Sequence, residues 1–289
     1  MEKRKIRHWN RYLKGASLGN LGFCTSWAVD HKHGTAPEWI EVVETDLHLS
    51  ELPKSLRGKR IVHISDLHCS RTVSSKYLIH CVERINLLDA DIVVMTGDFV
   101  THDIYGKFRD KVAKVVGKIQ SKHGTFACLG NHDYGIGSVF RMNRKDMLYR
   151  LIDGFEACGV KMLRNESTAI EIDGKSLWLV GLGDLWAKDF HPEKAFADVP
   201  KDFPVITLAH NPETAMHLDS YPADVCLSGH THGTRTKFEP SPGWKLQKRN
   251  FHAGFYKVGK QKLYVNRGLG RLGQFLFSVR PEITVFTLK

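Results

Sequence analysis

RIVHISDLH, residues 60–68, runs an apolar stretch straight into an Asp-x-His pair. RIVHIS reads as a buried strand, and the polar pair falls where that strand must turn. The pattern recurs along the chain. DIVVMT (91–96) runs into Gly97-Asp98, and TFACL (125–129) into Gly130-Asn131-His132-Asp133. PVITLA (204–209) ends at His210-Asn211, and DVCLS (224–228) at Gly229-His230-Thr231-His232. In open α/β sheets the carboxyl ends of the strands line the ligand crevice. Five strands therefore deliver carboxylate, imidazole or carboxamide groups to one rim. Any one motif has a plain structural explanation. Asp66 and Asp98 suit caps or turns, and 16 histidines make one chance His-x-His pair easy. The five together are not explained that way, whereas a metal centre, for which imidazole is the commonest ligand, uses all of them.

Between these strands the apolar spacing is helical. Val73, Tyr77, Leu78, Cys81, Val82, Ile85 and Leu88 mark one helix over 73–88. Further helices are expected over 108–119 and 146–157. Strands alternating with helices indicate a mixed α/β fold. STAIEIDGKSLWLVGLG (167–183) then changes the texture, because Asp-Gly between alternating residues marks a hairpin. Late strands are expected at KLYVN (262–266) and EITVFTL (282–288). No repeat and no linker divides this part, which predicts one catalytic domain over 56–289 preceded by a basic arm over 1–55.

The chain of 289 residues, with 42% hydrophobic and 25% charged residues, has ample material for a core. Its net charge of +11 is uneven. MEKRKIRHWNRYLK at the start holds six Lys/Arg against Glu2, and residues 235–271 hold ten against Glu239. Such a balance favours anionic partners without choosing among nucleic acid, phosphorylated small molecules and acidic lipid. The six cysteines form no CxxC pair, and Cys81, Cys128 and Cys226 sit in apolar runs, which suits a reduced cytosolic setting. ASLGNLGFCTSWAV (16–29) is too short and polar to span a bilayer, and it lacks the apolar centre of a signal peptide. A basic arm with a few apolar anchors suits peripheral contact with a membrane surface.

The ordered set Asp-x-His, Gly-Asp, Gly-Asn-His-Asp, His and Gly-His-x-His resembles the calcineurin-like metallophosphoesterase superfamily over residues 56–289. The resemblance implies a four-layer αββα sandwich with a two-metal site. It implies that Asp66, His68 and His232 bind one metal, that Asn131, His210 and His230 bind the other, and that Asp98 bridges them. By the same resemblance His132 faces the phosphate and steadies or protonates the leaving oxygen, and Asp133 orients His132. Oxygen and imidazole ligands without thiolate suit manganese first, with iron or zinc as alternatives. Two such ions activate a water for in-line attack at phosphorus without a covalent enzyme intermediate.

GDLW (183–186), AHNPE (209–213), YVNRGLG (264–270) and RPEITVFTL (280–288) are similar to the bacterial YkuE/YaeI-type phosphodiesterase branch. That branch includes enzymes resembling UDP-2,3-diacylglucosamine pyrophosphatase, so a phosphodiester or pyrophosphate of a lipid nucleotide is the expected substrate. Members often carry a twin-arginine signal or a membrane anchor. No adjacent Arg-Arg pair occurs here, and the expected location is cytoplasmic, peripheral on the inner face of the membrane. Trp244, Phe251, Phe255, Tyr256, Leu272, Phe275 and Leu276 interleave with Lys245, Lys248, Arg249, Arg267 and Arg271. Either they meet acyl chains and phosphates, or they are core and surface residues of late strands. Arg267, Gly268 and Asp184 are the expected substrate-binding positions, although Asp184 suits a turn better. A nucleic-acid or cyclic-nucleotide phosphodiesterase is the alternative; no recognisable nucleic-acid module is present. A non-catalytic scaffold fits poorly, because every ligand and the active histidine are kept.

Overall fold

Three strands owe their place to being apolar on both faces. The computed structural model describes residues 39–136, 145–239, 245–248, 250–270 and 279–289. In it β2 (Arg60–Ile64), β3 (Ile92–Thr96) and β4 (Thr125–Cys128) run parallel, and all but Arg60 are buried. Near-continuous apolar runs belong to strands covered above and below. Alternate residues separate cleanly. Val62, Ile64, Val93, Met95 and Ala127 face one cluster with the helices, whereas Ile61, Ile92, Val94, Phe126 and Cys128 face a second sheet.

The first sheet has the order β1-β14-β2-β3-β4-β5, with β1 at Glu41–Leu47, β5 at Val160–Met162 and β14 at Glu282–Leu288. β14 is antiparallel to β2, and the other pairings are parallel. The second sheet has the order β12-β13-β9-β8-β7-β6. Its strands are β6 (Glu166–Ile172), β7 (Lys175–Gly181), β8 (Val205–Leu208), β9 (Val225–Ser228), β12 (Gly254–Val258) and β13 (Gln261–Val265). β6–β7 is the hairpin expected from Asp173-Gly174, and both of those residues have positive φ. A separate antiparallel hairpin joins β10 (Thr236–Glu239) to β11 (Lys245–Lys248).

Leu177, Leu179, Ile206, Leu208, Val225 and Leu227 fill the layer between the sheets. The outer face of the first sheet is covered by α1 (Ser75–Asn86), α2 (Lys107–Val116) and α3 (Lys145–Glu156). α1 starts where Ser74 accepts the Tyr77 N–H at 3.2 Å, a side-chain N-cap. The fourth layer is thin: α4 (Pro192–Ala195) and a 3₁₀ turn at Pro212–His217 cover Val180, Val205, Cys226 and Val265. The expected αββα sandwich is what the chain forms. Among the described residues no helix is long and apolar enough to cross a membrane.

The boundary expected at residue 56 moves towards the N-terminus. β1 pairs with β14 over its whole length, and Leu47, Leu49, Leu52 and Leu56 are buried between the sheets. β1 was not expected because it is an edge strand, and Glu41, Glu44 and Asp46 hide its pattern. Residues 1–38, and with them the basic start of the arm, lie outside the described residues, as do Trp244, Arg249, Arg271, Leu272, Phe275 and Leu276.

Candidate metal centre

The carboxyl ends of β2, β3 and β4 meet those of β8 and β9 along one rim, and backbone hydrogen bonds lace the connecting loops together. The N–H groups of Asp66 and His68 donate to the carbonyls of Gly97 and Asp98 at 3.0 and 2.9 Å, and Gly229 N–H donates to His210 O at 3.0 Å. This closeness needs glycine at 130, where a Cβ would stand 2.4 Å from both the N and the Oδ1 of Asp98. Asp66, His68, Asp98, His230 and His232 all have φ between 48° and 71°. Non-glycine residues in this region are strained, and such strain gathers at functional sites.

Two trios of ligand atoms result. Those of Asp66, His68 and His232 lie within 4.8 Å of one another, as do those of Asp98, His210 and His230. His68 Nε2 and His232 Nε2 approach to 3.1 Å, and each faces Asp66 Oδ1, at 3.7 and 3.4 Å. In the second trio His210 Nε2 lies 3.3 Å from His230 Nδ1, and Asn131 Oδ1 lies 3.0 Å from that same nitrogen. Asp98 Oδ2 sits between the trios, 3.1 Å from His210 Nε2 and 3.6 Å from His68 Nε2. All seven side chains named as ligands from sequence are brought together, with the Asp98 carboxylate between the two trios. Four imidazoles, two carboxylates and one carboxamide, without thiolate, fit a pair of divalent cations of borderline hardness.

The outer atoms of these ligands are held as metal ligands require. His210 Nδ1 lies 2.6 Å from the Thr96 carbonyl, and His68 Nδ1 lies 3.2 Å from Thr101 Oγ1, which leaves each Nε2 facing inward. Burial disfavours charge on Asp66 and Asp98, yet the surrounding histidines hold both carboxyls below the usual range. Burial also works against a charged His210, but Asp98 and Asp66 overcome it and raise that imidazole to about 10. His232, with Asp66 beside it, is nevertheless pushed down by burial to about 4.

His132 reaches the rim with Nδ1 3.2 Å from the Thr101 carbonyl and its ring 5.1 Å from that of His68. Asp133 does not orient it. Asp133 is buried, and its two oxygens accept the N–H groups of Asp98, Phe99 and Gly130, each at 2.9 Å. Burial and Asp98 push its carboxyl up to about 7, but with N–H donors on both oxygens this geometry holds the ionised form. Asp133 thus fastens the loop carrying Asp98 to the loop carrying Asn131.

The three positions expected to touch substrate are each engaged within the protein. Arg267 is spent in ion pairs with Glu282 and with Glu41, the latter at 2.8 Å, and ties β1 to β14. Gly268, at φ +79°, backs the centre, since a Cβ there would lie 2.7 Å from Asp66 Cβ. Asp184 is buried, and its Oδ1 accepts the Ala187 N–H at 2.9 Å to close a turn. Of the aromatic set, Phe251 and Tyr256 pack on the outer cluster of the second sheet, and Phe255 leans on Tyr264 with ring centroids 4.7 Å apart. Phe255 and Tyr256 thus behave as residues of β12, and Phe251 packs just before it. Thr96, Thr101 and Trp186 were missed: the threonines act through a carbonyl or a hydroxyl that spacing does not reveal. The Trp186 ring stands 4.4 Å from that of His230 at 87°.

The family model for calcineurin-like phosphoesterases matches residues 59–234. The chain is 30% identical to UDP-2,3-diacylglucosamine pyrophosphatase LpxG of Chlamydia trachomatis, covering 86% of this chain and 88% of that one. It is 28% identical to phosphodiesterase YaeI of Escherichia coli, covering 91% and 94%. It is 30% identical to the uncharacterized metallophosphoesterase YkuE of Bacillus subtilis, covering 88% and 87%.

Proposed function

Because the chain belongs to the calcineurin-like phosphoesterase family and is a phosphoric ester hydrolase, we propose that it cleaves a phosphodiester or pyrophosphate bond, with a lipid-linked nucleotide as substrate and manganese as the preferred metal. The observation that carries this reading is the pair of ligand trios joined through Asp98. The likeness to LpxG and YaeI supports a diester or pyrophosphate over a monoester.

Asp66, His68 and His232 would hold one cation, and Asn131, His210 and His230 the other, with Asp98 shared. Two divalent cations supply Lewis acidity toward a phosphoryl oxygen and lower the pKa of the attacking water. The chain supplies the rest. Asn131 adds a ligand without adding charge, which leaves the centre cationic enough for an anionic ester. Burial drives His132 to about 4 despite Asp98, so its imidazole is neutral before substrate arrives. With Nδ1 at the Thr101 carbonyl, Nε2 is the atom left to take a proton and pass it to the leaving oxygen once an anionic ester is beside it.

The test is hydrolysis of bis-p-nitrophenyl phosphate. Turnover with manganese is expected, lost on chelation and reduced at least 100-fold in Asn131→Ala and His230→Ala. Undiminished turnover by metal-free protein would overturn the reading. Acidic lipid is the surface we assign to the basic residues before β1, and sedimentation with phosphatidylglycerol vesicles, compared with a chain starting at residue 39, tests it. Equal sedimentation of the two chains would reject that assignment.

A further inference from the structure

His132 has a second imidazole beside it that binds no metal. The His102 ring lies 6.1 Å from that of His132, whose other neighbour is the ring of the ligand His68 at 5.1 Å. His102 and His132 come from different loops, yet both loops are braced as one unit. His132 Nδ1 lies 3.2 Å from the carbonyl of Thr101, the residue before His102. The residue after it, Asp103, accepts the N–H groups of Phe108 and Arg109 on α2 at 2.8 and 2.7 Å. The buried Arg109 guanidinium then donates to the carbonyls of Asp103 and Asp133, at 3.1 and 3.0 Å. One side chain thus joins the two loops, and the spacing of the two rings is set by the fold.

The hydrogen-bonding state of His102 says where it can act. The residue is half-buried, and its Nδ1 is sealed in the protein with no partner among the described residues. Burial, helped by the neighbouring His68, disfavours its charged form. A neutral ring with no acceptor at Nδ1 carries its proton on Nε2. No carboxylate pairs with that ring among the described residues, because Asp103 is spent on the α2 N–H groups and on Arg109. The Nε2–H therefore needs an acceptor from outside the protein. Hydrogen bonds reach about 2.7–3.2 Å, so two rings 6.1 Å apart can hold two oxygens of one phosphoryl group. With His132 at the leaving oxygen, a departing phosphate offers His102 a second oxygen, whereas a departing alkoxide or phenoxide offers none. We propose that His102 is a specificity-determining residue that donates Nε2–H to a departing phosphoryl group and so selects pyrophosphates over simple diesters. The inference rests on the phosphohydrolase reading above and chooses between the two bonds that reading leaves open.

Steady-state kinetics on the full, manganese-loaded chain with symmetrical dihexyl pyrophosphate and hexyl p-nitrophenyl phosphate tests it. Both esters release a weakly basic group, so the demand on His132 is similar and the second phosphate is the difference. The ratio of kcat/KM, pyrophosphate over diester, should fall roughly tenfold or more in His102→Ala, as loss of a hydrogen bond to a charged acceptor implies. His102→Gln, which keeps an N–H donor at similar reach, should restore most of the ratio. An unchanged ratio in His102→Ala overturns the proposal. A loss shared equally by both esters, or one matched by weaker binding in a manganese titration, makes His102 a structural support and also overturns it. Turnover of the diester alone by the unaltered chain does the same. In each of these cases the phosphohydrolase reading survives, whereas failure of the unaltered chain to hydrolyse either ester removes that reading as well.

Discussion

His132 and Asp133 are neighbours in sequence with different tasks. His132 holds Nδ1 at a carbonyl and keeps Nε2 for a proton, so its value depends on how badly the leaving group needs one. His132→Ala should reduce turnover of an alkyl diester by about 10²–10⁴ and that of a p-nitrophenyl diester far less. Steady-state kinetics on both esters reads the split, and equal losses would contradict the proton role. Asp133 reaches only backbone N–H groups, which is why sequence could suggest a partner for it but not the correct one. Asp133→Ala should weaken metal binding by about 10–100-fold, as loss of a ligand-supporting group does. Titration of manganese into chelated protein measures it, and unchanged affinity would deny the clamp. The ligands were legible because each stands directly after an apolar run. The ion pair of Arg267 was not legible, because its partner Glu41 is 226 positions away.

At the scale of elements, strands covered on both faces announced themselves, while the half-exposed edge strand β1 did not. β2 carries a further consequence. His63 is buried, with Nε2 2.9 Å from Thr96 Oγ1 and its ring stacked on Phe286 at 6.2 Å. Burial, opposed by Asp66, lowers it from 6.5 to about 3. Above pH 6.5 it is neutral both folded and unfolded, and its contribution is whole. As pH falls below 6.5 the unfolded chain takes a proton that the folded chain refuses, and stability declines until about pH 3. Between pH 7.5 and 5.0 this amounts to about 2 kcal/mol. Urea unfolding should show a shallower pH dependence in His63→Phe; parallel curves would contradict it. The loop after β13 is equally specific. Gly268→Ala forces a Cβ against Asp66 at a positive φ, and should lower stability by roughly 1–3 kcal/mol and loosen metal binding with it. A melting curve and a manganese titration check both effects.

Across the whole molecule, two sheets from distant parts of the chain close on one rim, and β1 seals the far edge of the first. A chain starting at residue 39 should fold and hydrolyse. One starting at residue 50 loses β1 with buried Leu47 and Leu49, and should lose roughly 4 kcal/mol or more, read as a lowered thermal midpoint. An unchanged midpoint would mean that β1 is dispensable. Charge and composition pointed to an anionic partner but could not choose one, because the residues bordering the centre, Trp186, Asn211 and His230 among them, come from loops far apart in sequence. The central claim is that both sheets build one bridged pair of cation sites. Electron paramagnetic resonance of manganese-titrated protein tests it most directly. Two ions per chain with a spin-coupled signal are expected, and Asp98→Ala should abolish the coupling. A single ion, or two ions without coupling in the unaltered chain, would contradict the account.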